Sequence, residues 1–264
     1  NFLDPNETLS LDKLRSILVR LEDTIIFALI ERAQFMHNEQ IYVQGAFAFQ
    51  DQPEFHGSFL DYFLSETEKI HARVRRYTSP DEYPFTDNLP KPILPPLEFH
   101  QHLIPNKVNV NSHIKSMYLL NILPSLCQSG DDGNHGSAAT RDVDCLQALS
   151  KRIHYGKYIA EAKFLADPEG YTKLIRARDT AGLMALLTNE AVEEKLLKRL
   201  RKKAELYGRE FHDDEEHHPN DPATPANGST KKQRIDLDMV VRLYRDHVIP
   251  LTKRVEVDYL LLRA

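Results

Sequence analysis

Between Leu11 and Leu29 the apolar residues Leu11, Leu14, Leu18, Leu21, Ile25 and Leu29 return at the spacing of helical turns. They form one stripe along a helix, and such a stripe is stable only when another element covers it. Ser10 stands just ahead of it, where a hydroxyl can accept from an otherwise unpaired first-turn N–H. Helical spacing recurs through most of the chain and strand-like alternation does not, which predicts an all-α fold. Glycine supports this, with ten in 264 residues against a usual share of roughly 7 %. A chain of this length buries a substantial core, so residues 1–264 are expected to form a single large helical domain of about a dozen helices.

The pattern divides as follows. A second helix is expected from about Ser58 to Tyr77, ending in Arg73, Arg75 and Arg76, where cations suit the macrodipole. Seven prolines between Ser79 and Pro105 fix φ and remove backbone donors, giving an extended crossing segment. Helix resumes from Asn111 to Leu126. After a polar break, Ser137 reads as the cap of a helix over Ala138–Leu165. Shorter helices over Glu169–Arg178 and Thr180–Leu187 precede a long one from Thr188 to Tyr207. Gly208–Lys232 is polar with little to bury and reads as a mobile loop. A last helix over Asp236–Leu262 is expected to kink at Pro250.

The formal charge of −5 and the pI near 6.2 argue against nucleic acid or anionic lipid as a partner, so an anionic ligand would have to meet a local cluster of cations. No apolar run is long enough to cross a membrane. With only Cys127 and Cys145 and no signal pattern in Asn1–Glu7, a reducing, cytoplasmic setting is expected. His212, His217 and His218 lie in the polar segment, where no rigid element fixes them, and read as solvated rather than as metal ligands.

Arg152 and Lys163 are eleven residues apart, close to three helical turns, and Gly156 lies between them on the same side. Two readings follow: surface charges with Gly156 allowing close helix packing, or two cations flanking a space for an anion. Asn189 and Glu193 share a face with Val192, Leu196 and Leu200; they are either a cap with its first-turn acid, or a buried amide and carboxylate that need partners. Thr252 and Glu256 flank the last apolar stripe, either solvated or turned inward. Arg15 borders the first stripe and suits an interhelical ion pair or a ligand carboxylate. Taken together these are cations, acids, an amide and a hydroxyl between helices, a set suited to binding and electrostatic stabilisation rather than covalent catalysis.

The stretches LDKLRSILVRLEDTIIFALIERAQF, GSAATRDVDCLQALSKRIHYGKYIAEAKF, TNEAVEEKLLKRL and VIPLTKRVEVDYLLLR resemble the chorismate mutases of yeasts, other fungi and plants, in the same order and across nearly the whole chain. The resemblance implies a helical homodimer that rearranges chorismate to prephenate without metal or cofactor. It implies that Arg15 and Arg152 grip carboxylates and that Lys163 and Glu256 approach the ether oxygen. Asn189, Glu193 and Thr252 would orient the ring hydroxyl and side chain. It also implies effector sites for tyrosine as inhibitor and tryptophan as activator, on Arg75, Arg76, Asn134, Gly136, Ser137 and Thr140. For Arg75 and Arg76 the plain alternative is helix-end charge, and for Gly136-Ser137 an ordinary cap. The 208–232 stretch is longer and more acidic than the family's loop. Two other functions fit the same residues: an isochorismate-type pyruvate lyase, and a non-catalytic helical dimer that binds aromatic amino acids.

Overall fold

The Ser10 hydroxyl accepts the Lys13 N–H at 3.3 Å and opens α1 (Leu11–Arg32). The computed structural model describes residues 9–50, 52–213 and 237–263, and among these all regular structure is helical. The α1 stripe is covered as its spacing requires: Leu14, Ile25 and Leu29 are buried, and α1 packs along α5 (His135–His154). α2 (Phe59–Arg73) starts at a reciprocal capping box in which Ser58 and Asp61 bond each other's backbone. It ends before the expected Tyr77, because Arg75 turns into the left-handed region at φ 73° and breaks the helix.

The segment α3 (Asn111–Met117) runs through a π-helical turn, Tyr118–Ile122, into α4 (Leu123–Leu126). The region expected as one helix over Ala138–Leu165 is two, α5 and α6 (Gly156–Ala166), parted at Tyr155. α7 (Pro168–Arg176) and α8 (Thr180–Leu187) follow, each opened by an aspartate: Asp167 accepts from the Gly170 N–H and Asp179 from the Gly182 N–H. α9 (Glu190–Asp213) runs past the expected end at Tyr207, so residues 208–213 of the supposed loop are helical. Residues 214–232, with His217 and His218, lie outside the described residues.

The final helix is built as α10 (Leu237–Leu243), a π-helical turn over Tyr244–Val248, and α11 (Ile249–Leu260). In place of the simple kink expected at Pro250 there is a widened turn just before it. The proline ring crowds the carbonyl four residues back, at Asp246, and cannot donate to it, so the chain inserts a wider turn at that point. Pro124 follows the first π turn in the same way.

A buried polar knot fixes α1 against α5. Arg32, wholly buried, donates from Nε to Asp142 Oδ1 at 2.6 Å, and the Tyr118 and Tyr42 hydroxyls donate to the same carboxylate at 2.7 and 2.8 Å. Its remaining N–H groups reach the carbonyls of Phe35, Met36 and His37, so the charge is fully partnered. Apolar side chains collect in two clusters. One surrounds Leu29, Leu146, Leu149 and Val240, the other Leu14, Tyr158, Leu183 and Leu260. Where they meet, α1, α5, α6, α9 and α11 leave a space between them.

Candidate active site

That space is a cavity of about 380 Å³, walled by Leu11, Leu18 and Ile159 from one cluster and Leu196 from the edge of the other. Into it come Arg15 from α1, Arg152 from α5, Lys163 from α6, Glu193 from α9 and Thr252 and Glu256 from α11, with Asn189 just ahead of α9. The seven residues singled out for a substrate by the sequence therefore line one cavity.

Gly156 decides how α6 meets α11. A Cβ placed there would stand 2.8 Å from the Thr252 carbonyl oxygen, 3.1 Å from Thr252 Cγ2 and 3.3 Å from Glu256 Cγ. The glycine thus serves close helix packing, and that packing brings the functional face of α11 up to α6. Across the contact, Lys163 Nζ lies 3.2 Å from Glu256 Oε2 and donates to the Leu187 carbonyl at 2.8 Å, which ties the end of α8 to the site. Glu256 is 5 % exposed. Burial lifts its pKa above the ordinary carboxyl value while Lys163, and beyond it Arg152 and Lys253, oppose the rise.

Arg152 is 3 % exposed. Its Nη1 lies 3.4 Å from Thr252 Oγ1, which has its own proton committed to the Val248 carbonyl at 2.7 Å and so accepts. The guanidinium sits 5.9 Å from the Tyr244 ring centroid. Arg152 Nε is buried with no hydrogen-bond partner among the described residues, and a desolvated donor of this kind favours an anionic acceptor. Arg15 is half exposed and bonds Asp12 on its own helix at 3.0 Å, not a neighbouring helix. Asn189 caps α9, its Oδ1 accepting from the Val192 N–H at 3.1 Å, and lines the cavity as well. Asn189 is exposed, so the cap reading describes it and the buried-amide reading does not, although it also borders the cavity.

Sequence reasoning missed Lys253, whose Nζ lies 2.7 Å from Glu193 Oε1, as well as Asp167, Tyr171 and Thr188 on the wall. The Tyr171 hydroxyl is pushed up to about 12 by burial and then by the nearby Glu256. Each of these contacts is made across helices, and no spacing within one helix signals it.

This cavity, with its cations and its raised carboxyl, coincides with similarity over the whole chain. A family model described as chorismate mutase type II matches residues 134–257. The chorismate mutase of Schizosaccharomyces pombe is 51 % identical over 259 residues, covering 98 % of each chain. The chain belongs to the chorismate mutase family. Among solved members, the Aro7p chorismate mutase of Candida albicans in complex with L-Trp superposes with a TM-score of 0.87 at 41 % identity, covering 100 % of this chain and 95 % of that one. AtCM1 with tyrosine bound in an allosteric site superposes at 0.82 and 43 % identity, covering 98 % of both.

The residues suggested for effectors in this chorismate mutase do not converge within the chain. Arg76 bonds Gln147 at 2.7 Å and Glu82 at 3.2 Å, and Arg75 donates to the Pro95 carbonyl at 2.5 Å. Gly136 lies eleven residues before Gln147 on α5, roughly 16 Å along the helix axis. Asn134, Gly136, Ser137 and Thr140 cluster at the α5 start, where Thr140 Oγ1 donates to the Gly136 carbonyl at 2.8 Å. Ser137 is not the cap. Asp131 accepts from Gly133 N–H and Asp132 from Asn134 N–H, and these turns start the helix at His135, leaving Ser137 inside its first turn. Among the described residues no helix is long and apolar enough to cross a membrane.

Proposed function

We propose that the cavity binds chorismate and catalyses its rearrangement to prephenate, with Arg15, Arg152, Lys163 and Glu256 in catalytic roles and Asn189, Glu193 and Thr252 orienting the substrate. The observation that carries this is the convergence of those seven side chains on one cavity. In the rearrangement an ether C–O bond breaks as a C–C bond forms within one molecule, so no nucleophile takes part. The site has to hold a compact geometry and stabilise charge developing on the ether oxygen. Arg152, with its unpartnered Nε, grips one carboxylate and Arg15, at the open side, meets the other. Lys163 is held by the Leu187 carbonyl and Glu256, with one N–H left for a ligand. Beside it Glu256 acts in its protonated form, donating to the ether oxygen; its burial supports that form.

Regulation by tyrosine as inhibitor and tryptophan as activator belongs to the same proposal. The exposed start of α5 offers free N–H groups and the Arg75–Arg76 corner offers guanidinium groups, both suited to an amino-acid carboxylate. Their separation within one chain supports a homodimer in which each site draws on two copies. Buried, unbridged Cys127 and Cys145 support a reducing compartment such as the cytoplasm.

The test is chorismate consumption with product analysis, prephenate being expected and pyruvate overturning the proposal. Arg152→Ala and Lys163→Ala are each expected to lose about a hundredfold or more in kcat/KM while keeping a parental circular dichroism spectrum. Near-parental turnover in either would remove that residue from the site.

A further inference from the structure

Lys253 is a cavity residue to which neither helical spacing nor the family resemblance gave a role. It follows Thr252 on α11, and its ammonium reaches across to α9, 2.7 Å from Glu193 Oε1. Both side chains are more than two-thirds buried, so solvent screens the pair less than it would a surface pair. The charged groups lining the cavity are four cations, Arg15, Arg152, Lys163 and Lys253, and three acids, Asp167, Glu193 and Glu256. Without Lys253 the wall carries no net charge when its acids are ionised. With it, and with Glu256 protonated, the wall carries two positive charges, the complement of a dicarboxylate. Glu193 has Lys253 as its ion-pair partner among the described residues, and it sits in the first turn of α9.

We infer that Lys253 is a positioning residue for the rearrangement: it holds Glu193 at the cavity wall across the α9–α11 seam and supplies the charge that lets the cavity take a dianion. This rests on the chorismate reading given above. A second consequence concerns pH. The charged and titratable groups around Glu256 are Arg15 from α1, Arg152 from α5, Lys163 from α6, Asp167 between α6 and α7, Tyr171 from α7, Glu193 from α9 and Lys253 on α11 itself. Lys253 is one of the cations that hold the Glu256 pKa down. Removing it raises that pKa, so the protonated acid persists to higher pH.

The experiment is steady-state kinetics on chorismate across pH for the parent, Lys253→Met, Lys253→Gln, Lys253→Arg and the double variant Lys253→Met with Glu193→Gln. The Met and Gln variants are expected to raise KM about tenfold or more, to change kcat less, and to move the alkaline limb of kcat/KM to higher pH. Lys253→Arg keeps the ion pair and should restore the parental KM and limb. The double variant should be no worse than Lys253→Met, because the two residues act as one unit. A structural role alone would lower the melting temperature and leave the limb in place. If the parent turns over chorismate and the Met and Gln variants match it in KM and pH limb, Lys253 has no such role, and the chorismate reading stands. If the parent fails to turn over chorismate, that reading falls and this inference with it.

Discussion

In the proposed reaction Glu256 is an acid whose use depends on its proton. A carboxylate there would repel the charge growing on the ether oxygen, whereas the neutral acid donates to it. Burial raises its pKa and Lys163 opposes the rise, so activity is expected to fall as pH climbs through the resulting apparent value. Glu256→Gln keeps a donor without titrating. Its alkaline limb in kcat/KM should be flatter, with the variant overtaking the parent at high pH; an unchanged limb would assign the titration to another group. Melting curves at each pH separate this from unfolding. At this scale the sequence was informative wherever two residues share a helix: Asn189 with Glu193 and Thr252 with Glu256 are each one turn apart and both pairs face the cavity. It was silent on Lys253 and on the Leu187 carbonyl, because their partners come from other helices.

Between elements, the approach of α6 to α11 rests on the absence of one side chain. Gly156→Ala forces a methyl group against the Thr252 carbonyl, which is backbone and cannot swing aside. Overpacking of this kind costs about 1–3 kcal/mol, to be measured by urea denaturation. The displaced Thr252 and Glu256 should also lower kcat/KM by about tenfold or more, since small misplacements of catalytic groups are costly. A variant with parental kcat/KM would mean that α11 shifts without consequence. Helix existence was legible from apolar spacing, but boundaries were not. Residues 208–213 have no apolar stripe and still extend α9. The start of α5 is set by two aspartate turns before it rather than by the serine that looked like a cap. The π turn ahead of Pro250 has no signature in spacing beyond the proline itself.

For the molecule as a whole, family and helical class could be read from the order of four stretches along the chain, whereas the seam between two apolar clusters, where the cavity lies, emerges only on folding. The proposed effector groups stand apart along the chain, the Arg75–Arg76 corner just after α2 and the others at the start of α5, and a response to tyrosine must arise from its different affinity for two states. Arg75→Ala combined with Arg76→Ala is expected to keep unliganded turnover within about threefold of the parent, to abolish inhibition by tyrosine and to weaken activation by tryptophan; threefold is well under the loss of one charged hydrogen bond. Inhibition titrations on the purified protein are the measurement, and retained inhibition would move the effector site elsewhere. Arg75 also holds its backbone at φ 73°, a conformation that costs a residue with a Cβ about 1 kcal/mol. Stability and responsiveness therefore conflict at this position. Arg75→Gly should give a protein that melts no lower than the parent but is less responsive to tyrosine, so laboratory selection for thermal tolerance alone would be drawn toward glycine here and yield robust, deregulated enzymes.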